Sequence, residues 1–400
     1  MEERSSLVRA RTKMHLTQKE AAKRLGVDRA TLQRWEQGIT TPRGYNIVEL
    51  CKLYQTSEAD LDLHNMTLAL PISDSFVEGS SGAILEQIAI GIEACNSLSD
   101  SGGHSEIIGA TQIAATYLPM LQALLSTSKH RSQAAMLASK VYQHQHGTAY
   151  HVASVAQSLA YSEKAVEYAR IAQNVTELIV ALYELASTYE WPLPPMSVHA
   201  CRKKGLELLE EAVSLQEQKR YRDVVPFQIQ SWVYAGYAKF LALNGRKQDA
   251  YQAMGNSSDC FARKGSDLPG LYFNEVNITR QQAITHSYLS EQKSAVRGFL
   301  GLLDVRESGI VPRFAMSDRT QLSIISETVF SSLKLPMPAK DKNLTMRLWN
   351  EQFGMAVALK SATYVKECWT TYEIMACIWP DDASVESARD RLFSLESPGF

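Results

Sequence analysis

Apolar residues along this 400-residue chain recur every three or four positions for most of its length, the spacing that gives a helix one buried face. Leu85, Ile88, Ile92 and Cys95 show the pattern and predict a helix beginning near residue 83. From there to the end, helices of roughly 12–20 residues alternate with short breaks, as in arrays of helical hairpins. The clearest breaks are Ser101-Gly102-Gly103, Trp191 to Pro195, Asn244-Gly245 and Leu335 to Pro338. Alternating runs bounded by Asn-Gly or Asp-Gly turns are missing, so no β-hairpin is expected. Residues 64–82 break the helical pattern with Pro71 and Gly79-Ser80-Ser81-Gly82 and read as an interdomain linker. The pattern predicts an all-α protein with a domain at 1–63, a linker at 64–82 and a helical body at 83–400.

The first domain carries the most specific signal, in the stretch from Leu16 to Gly38. Thr17 and Glu20 have the spacing of a capping box, so a helix starts there. Ala21 and Leu25 supply its apolar face, and Gly26 permits a tight stop. Asp28 is placed to cap the next helix, whose inner face is Leu32 and Trp35 and whose outer face is Arg29, Ala30, Gln33 and Arg34. Two short helices joined by a Gly turn, the second with basic and amide side chains outward, form a helix-turn-helix.

These residues resemble the Cro/repressor-type (XRE-like) helix-turn-helix family, which implies a five-helix domain that binds double-stranded DNA. The likeness runs on through Thr41-Pro42-Arg43 and Ile47, Leu50, Cys51, Tyr54 and Leu61, about the first 62 residues. Departures are small: Ala22 in a common Leu/Ala pair, Asp28 for the usual Ser cap, and Cys51 where Ala is frequent. The resemblance implies that Arg29, Ala30, Gln33 and Arg34 read base edges, Arg being suited to guanine and Gln to adenine. It places Gln18 and Arg43 on phosphates, where contacts position the domain without reading sequence. Arg11 and Glu36 match an ion pair internal to such domains.

Charge agrees with this division. Residues 1–43 hold ten Lys/Arg against five Asp/Glu, a surplus of +5, which leaves −7 for the rest of a chain whose net charge is −2. A basic segment on an acidic body puts a polyanion at the N-terminus. The six cysteines are scattered without a Cys-x-x-Cys pair, which suits a reducing cytoplasm and argues against a zinc site. The polar start and the lack of a long apolar run predict a cytoplasmic protein with no membrane partner.

In the body, Ala153/Ala165, Ala238/Ala250 and Ala283/Ala295 are pairs twelve residues apart. Such pairs suit the close approach of two helices in a hairpin, and Tyr161 to Ala172 resembles the second helix of a tetratricopeptide repeat. The frame is lost near Ala186, whose partner position is Val198. About five or six hairpins would stack into a superhelix with a concave side. The frame places Tyr150 and Gln157, Tyr183 and Glu190, Trp232 and Lys239, and Asn277 and Arg280 on that side. Aromatic, amide and cationic groups there suit an extended peptide, with Tyr183, Trp232, Lys239, Asn277 and Arg280 as the effector site and Lys239 or Arg280 taking a terminal carboxylate.

Helix-turn-helix plus repeat body resembles the RRNPP-type peptide-sensing bacterial regulators, which implies a homodimer whose effector alters how paired domains sit on DNA. The body's residues leave open a partner protein, a small molecule or dimerisation alone, and a scaffold that never acts on DNA. His144 and His146 point to nearly opposite faces of a helix and cannot easily share a metal. No Gly-rich phosphate loop, Gly-x-Ser-x-Gly elbow or His-Glu-x-x-His is present, so neither a cofactor nor an enzymatic reaction is expected.

Overall fold

The computed structural model describes residues 5–395 apart from 26, 38–41, 43–44, 55, 57–60, 62–73, 102–103, 153, 192, 194, 264–274 and 308. The chain divides into two compact units, Met1–Ser80 and Ser81–Phe400.

In the first unit, α1 (Ser5–Lys13), α2 (Gln18–Arg24), α3 (Arg29–Glu36) and α4 (Tyr45–Tyr54) pack on one small core. Leu7, Ala21, Leu25, Leu32, Trp35, Leu50, Tyr54 and Leu61 are buried in it. Cys51 packs half-buried at its edge. The caps form as the sequence predicts. Thr17 Oγ1 accepts from Glu20 N at 3.2 Å while Glu20 Oε2 accepts from Thr17 N at 2.8 Å. Asp28 Oδ1 accepts from Thr31 N at 2.7 Å at the start of α3. These bonds satisfy backbone donors that a helix start leaves open. Gly26, Arg43 and most of the segment expected to hold a fifth helix lie outside the described residues.

The second unit is helical throughout its larger part. Of the expected linker, residues 64–73 lie outside the described residues, whereas 74–82 are helical, because α5 spans Asp74–Ser101. The helix thus starts at Asp74 rather than near residue 83. Glycine weakens a helix by about 1 kcal/mol relative to alanine, but Ser81 is fully buried, and packing there outweighs the poor propensity. After α6 (His104–Ala115) and α7 (Leu118–Leu124), twelve helices follow as six consecutive hairpins. They are α8 (Arg131–Val152) with α9 (Val155–Ala172), α10 (Val175–Thr188) with α11 (Val198–Glu217), and α12 (Phe227–Leu243) with α13 (Lys247–Ala262). Then come α14 (Glu275–Tyr288) with α15 (Gln292–Gly301), α16 (Asp318–Leu333) with α17 (Lys342–Ala358), and α18 (Ala362–Ile378) with α19 (Ala383–Phe393).

The alanine spacing works where helices come closest. Ala238 and Ala250 are fully buried in the α12–α13 hairpin, and Ala283 and Ala295 are buried in α14–α15. Ala153 lies outside the described residues, between α8 and α9. The first helices of the hairpins touch in order, α8 to α10, α10 to α12, α12 to α14, α14 to α16 and α16 to α18, and α18 returns to contact α8. This is a tetratricopeptide-like superhelix whose inner row closes on itself. Six helices spaced about 8–10 Å apart put the axis of the ring only about that far from each. The interior is therefore filled largely by side chains.

Two findings depart from the sequence pattern. A β-hairpin joins α15 to α16: β1 (Leu303–Arg306) pairs antiparallel with β2 (Gly309–Pro312), Leu303 opposite Pro312 and Arg306 opposite Gly309. The strands are too short to show alternation. At the start of β2, Gly309 has a φ of +147°, which favours glycine, and no Asn-Gly signal stands there. Leu303 and Ile310 anchor the hairpin in the core of the last three hairpins. Second, one segment of the described residues, Ser105–Leu124, is long and apolar enough to cross a membrane by composition. It is two helices, α6 and α7, with Pro119 at the start of the second.

Candidate nucleic-acid interface and inner-face site

Helix α3 has two unlike sides. Leu32, Trp35 and Glu36 are buried, and Arg29, Ala30, Gln33 and Arg34 are exposed. The 3.6-residue period separates these sets, and the Asp28 cap fixes the direction from which the helix leaves the turn. The buried Glu36 carboxylate is matched by three donors. Arg11 Nε donates to Oε1 at 2.5 Å, Arg11 Nη2 to Oε2 at 3.2 Å and Gln18 Nε2 to Oε2 at 2.7 Å. Arg11 Nη1 also donates to Leu16 O at 2.9 Å. The hydrogen bond to Glu36 raises the Arg11 pKa, and burial pushes the Tyr54 phenol up as well. The Arg11–Glu36 pair thus ties α1 to α3. Gln18, expected on phosphate, is half-buried with its side-chain amide bonded to Glu36. Arg43 lies outside the described residues.

In the second unit the inner row of helices brings together most of the residues expected there, and adds others. Tyr183 (α10) stacks on Trp232 (α12) with ring centroids 3.4 Å apart, and both are buried. A Cβ on Gly236, one turn beyond Trp232, would sit 2.3 Å from the Tyr183 ring, so glycine is what lets the ring lie against α12. Lys239, 4% exposed, donates to Glu190 Oε2 at 2.6 Å, and Tyr288 Oη donates to Glu190 Oε1 at 2.6 Å. Burial opposes the charge on Glu190, yet Lys239 and these two hydrogen bonds hold its carboxyl below the usual range. Arg280 (α14) donates to Ser323 Oγ (α16) at 2.5 Å, and its Nε is buried without an acceptor. Asn277 is half-buried one turn before it.

Glu327 (α16) and Glu367 (α18) complete this cluster. Both are half-buried, and desolvation pushes both carboxyls up, Glu367 to about 7. Arg280 works against that rise on each, whereas the Glu190 charge adds to it at Glu327 and the Glu327 charge adds to it at Glu367. Ser326 Oγ donates to Glu367 Oε2 at 2.6 Å and itself accepts from Gln352 Nε2 at 3.0 Å. The alanine frame stops at Ala295, so Tyr288, Ser323, Glu327 and Glu367 were not expected here. The one signal for Glu327 is an acid set among the apolar positions Leu322, Ile324, Ile325 and Val329 and small hydroxyl residues.

Other expected residues go elsewhere. Gln157 lies on the first turn of α9, the second helix of its hairpin, exposed and donating to Tyr161 Oη at 3.0 Å. It does not join the inner row, because α8 runs on to Val152 and pushes the turn later. The Tyr150 side chain lies outside the described residues. His144 Nδ1 pairs with Asn96 Oδ1 at 3.0 Å, and burial holds its pKa at about 4. His146 bonds Ser158 Oγ at 2.7 Å and faces Glu184 at 3.4 Å.

Residues 7–61 match the helix-turn-helix family. That match takes in α2, α3 and α4 and all but the first two residues of α1. No curated protein matches the chain. Among solved structures, PlcR of Bacillus thuringiensis, crystallised in complex with the peptide PapR7 and DNA, is 11% identical. The match covers 65% of this chain and 95% of that one, with a TM-score of 0.30, a likeness too loose to bear on this chain's activity.

Proposed function

We propose that the chain is a sequence-specific DNA-binding transcriptional regulator, a homodimer whose second unit binds an effector peptide along its inner face. The observation that carries the DNA reading is the outward set Arg29, Ala30, Gln33 and Arg34 on a helix whose other side is locked into the domain core. A helix of this width fits the major groove, where guanidinium groups match guanine and an amide matches adenine. Ala30 leaves room for close approach. Gln18, through its backbone at the start of α2, and Arg43 hold phosphates.

The effector reading rests on the inner row, where Tyr183, Trp232, Lys239, Asn277 and Arg280 come from three successive first helices. A ligand lying across that row touches several hairpins at once. It acts on DNA binding only to the extent that it prefers one arrangement of the dimer.

The test is selection of duplexes from random-sequence DNA by the full-length protein, followed by mobility shift with the enriched and unselected pools. A recurrent, two-fold related sequence motif that binds more tightly than random DNA supports the reading. Failure to enrich any motif at low salt sinks it.

A further inference from the structure

We propose that a groove beside α15 in the second unit is a docking site for an acidic segment of a partner protein. That segment sets a large apolar side chain on Val296, Leu300 and Leu335 and its carboxylates on Lys293 and Arg297. The inference stands apart from the inner face and rests on neither the DNA reading nor the effector reading.

The groove lies between α15 and the turn that joins α16 to α17. Its volume is about 520 Å³, with Lys293, Val296, Arg297 and Leu300 lining it from the helix and Leu335 and Ala339 from the turn. Val296 and Leu300, one helical turn apart, are half-buried and Leu335 is buried, so the floor is apolar. The wall is held in place, because Lys340 Nζ donates to Leu333 O at 2.7 Å and also to Leu335 O. Met337, in the same turn, is 64% exposed. Lys293, Arg297 and Ala339 are exposed as well, so the groove opens to solvent and does not enclose a small molecule.

Charge decides which segment fits. Several exposed cations of the second unit have a carboxylate: Lys164 pairs with Glu167, Arg170 with Glu211 and Arg246 with Asp249, each at 2.7 Å. Lys293 and Arg297, one turn apart on α15, have no hydrogen bond or ion pair among the described residues. The acids close to them in sequence are engaged elsewhere. Glu291 meets Lys247 and His286, each at 2.9 Å, and Asp341, beyond the wall, caps α17 by accepting from Leu344 N at 2.9 Å. No carboxylate is among the residues lining the groove. Two unpaired cations beside an apolar floor complement the reverse pattern, carboxylates flanking a large apolar side chain. The anchor gains by leaving water, and the charges at the rim set its register. Nucleic acid has no aliphatic side chain for that floor, and the groove belongs to the acidic part of the chain.

The probes are pools of short capped peptides, each with fixed leucines among fixed glutamates, glutamines or lysines and the other positions randomised over uncharged residues. Full-length protein is mixed with each pool, separated by rapid gel filtration, and the retained peptide is measured by mass spectrometry. The glutamate pool should be retained about tenfold over the glutamine pool, and the lysine pool least. Lys293→Gln with Arg297→Gln should bring the first ratio close to one; both side chains are exposed, and circular dichroism checks the fold. Gly301 lines the same groove, with open space where a side chain would begin. Gly301→Tyr should therefore fill the seat and lower retention of the glutamate and glutamine pools alike. A glutamate preference that survives the double substitution puts the acidic segment elsewhere, and retention untouched by Gly301→Tyr reduces the groove to a charged patch. Either result overturns the proposal, as does equal retention of the glutamate and glutamine pools or retention of none. Two further measurements on the double variant test the other occupants. A fall in light-scattering mass would make the groove a contact between copies, and weaker binding of random duplex DNA would make it a phosphate-binding patch; each overturns the acidic-partner assignment.

Discussion

Lys239 of α12 and Glu190, in the turn just past the end of α10, meet at 2.6 Å with 49 residues of chain between them in sequence. Lys239 is almost wholly enclosed, so its ammonium depends on this one carboxylate, which Tyr288 also steadies. Breaking one side of such a pair typically costs about 3–5 kcal/mol, because the other charge is left buried alone. Lys239→Met should therefore lower the melting temperature of the second unit by several degrees. Lys239→Met with Glu190→Gln should recover most of the loss, because neither charge remains. Differential scanning calorimetry of the two variants checks this, and equal destabilisation by both would mean that the pair is not the source.

Glu367 gives a pH dependence of definite sign. Its carboxyl is raised to about 7 in the folded protein, against about 4.3 for an unfolded glutamate. Below the lower value both states hold the proton, so stability is unaffected. As pH rises between the two, the unfolded chain releases its proton while the folded chain keeps it, and stability falls. Glu367→Gln mimics the protonated form and keeps an acceptor for Ser326. It should melt at a higher temperature than wild type at pH 8 and at nearly the same temperature at pH 4. A constant difference across that range would show that Glu367 does not titrate there.

The physics of these two sites explains which parts of the chain could be read in advance. Caps depend on residues three apart, so Thr17–Glu20 and Asp28–Thr31 were legible, as was the division of α3 into faces. Ala238, Ala250, Ala283 and Ala295 marked close helix approach, since only a small side chain fits there. The β-hairpin was not legible, because four-residue strands give no measurable alternation. Nor was the start of α5, where burial of Ser81 overrides local propensity. Glu327 and Glu367 become neighbours of Arg280 only through the stacking of three hairpins, a relation that no local spacing encodes.

Arg11 and Glu36 should prove structural. Glu36 is 2% exposed and takes three hydrogen bonds, two of them from Arg11. Arg11→Ala leaves that carboxylate with Gln18 alone, and a loss of about 3 kcal/mol follows from the buried-pair range. Hydrogen exchange on the intact chain should show faster exchange at α1 and α3 and little change in the second unit. Weaker DNA binding with unchanged protection would instead put Arg11 on the phosphates.

Arg29 and Arg34 should differ from Arg43 in kind. The first two stand on the exposed face of α3, so Arg29→Ala or Arg34→Ala should cost about 1–3 kcal/mol on the selected site and relax its base preference. Arg43→Ala should weaken all duplexes alike and lower the salt dependence by about one phosphate contact. Titrations on selected and random DNA at several salt concentrations separate the two. Equal losses on both DNAs from every variant would remove the assignment of base reading to α3.

The proposed dimer is motivated by the smallness of the proposed DNA-reading surface. One recognition helix with four outward residues contacts few base pairs, and pairing two such domains raises affinity through effective concentration. The core of the first unit uses Leu7, Leu32, Trp35, Leu50 and Leu61, and α3 is the proposed DNA-reading face, so we place the proposed contact between copies in the second unit. Its α5 and α6 leave Ile90 62% and Ile113 49% exposed, and Leu98 is also open. Large apolar side chains left in water on neighbouring helices gain by meeting a second copy. Light scattering at micromolar concentration should give a mass of two chains. Ile90→Asp with Ile113→Asp should shift that mass toward one chain without altering the circular dichroism spectrum. On DNA, half-sites should lie about 34 Å apart or at a multiple of that spacing, and the monomeric variant should lose its preference for paired over single half-sites. A wild-type protein that stays monomeric with and without its selected DNA would refute the dimer.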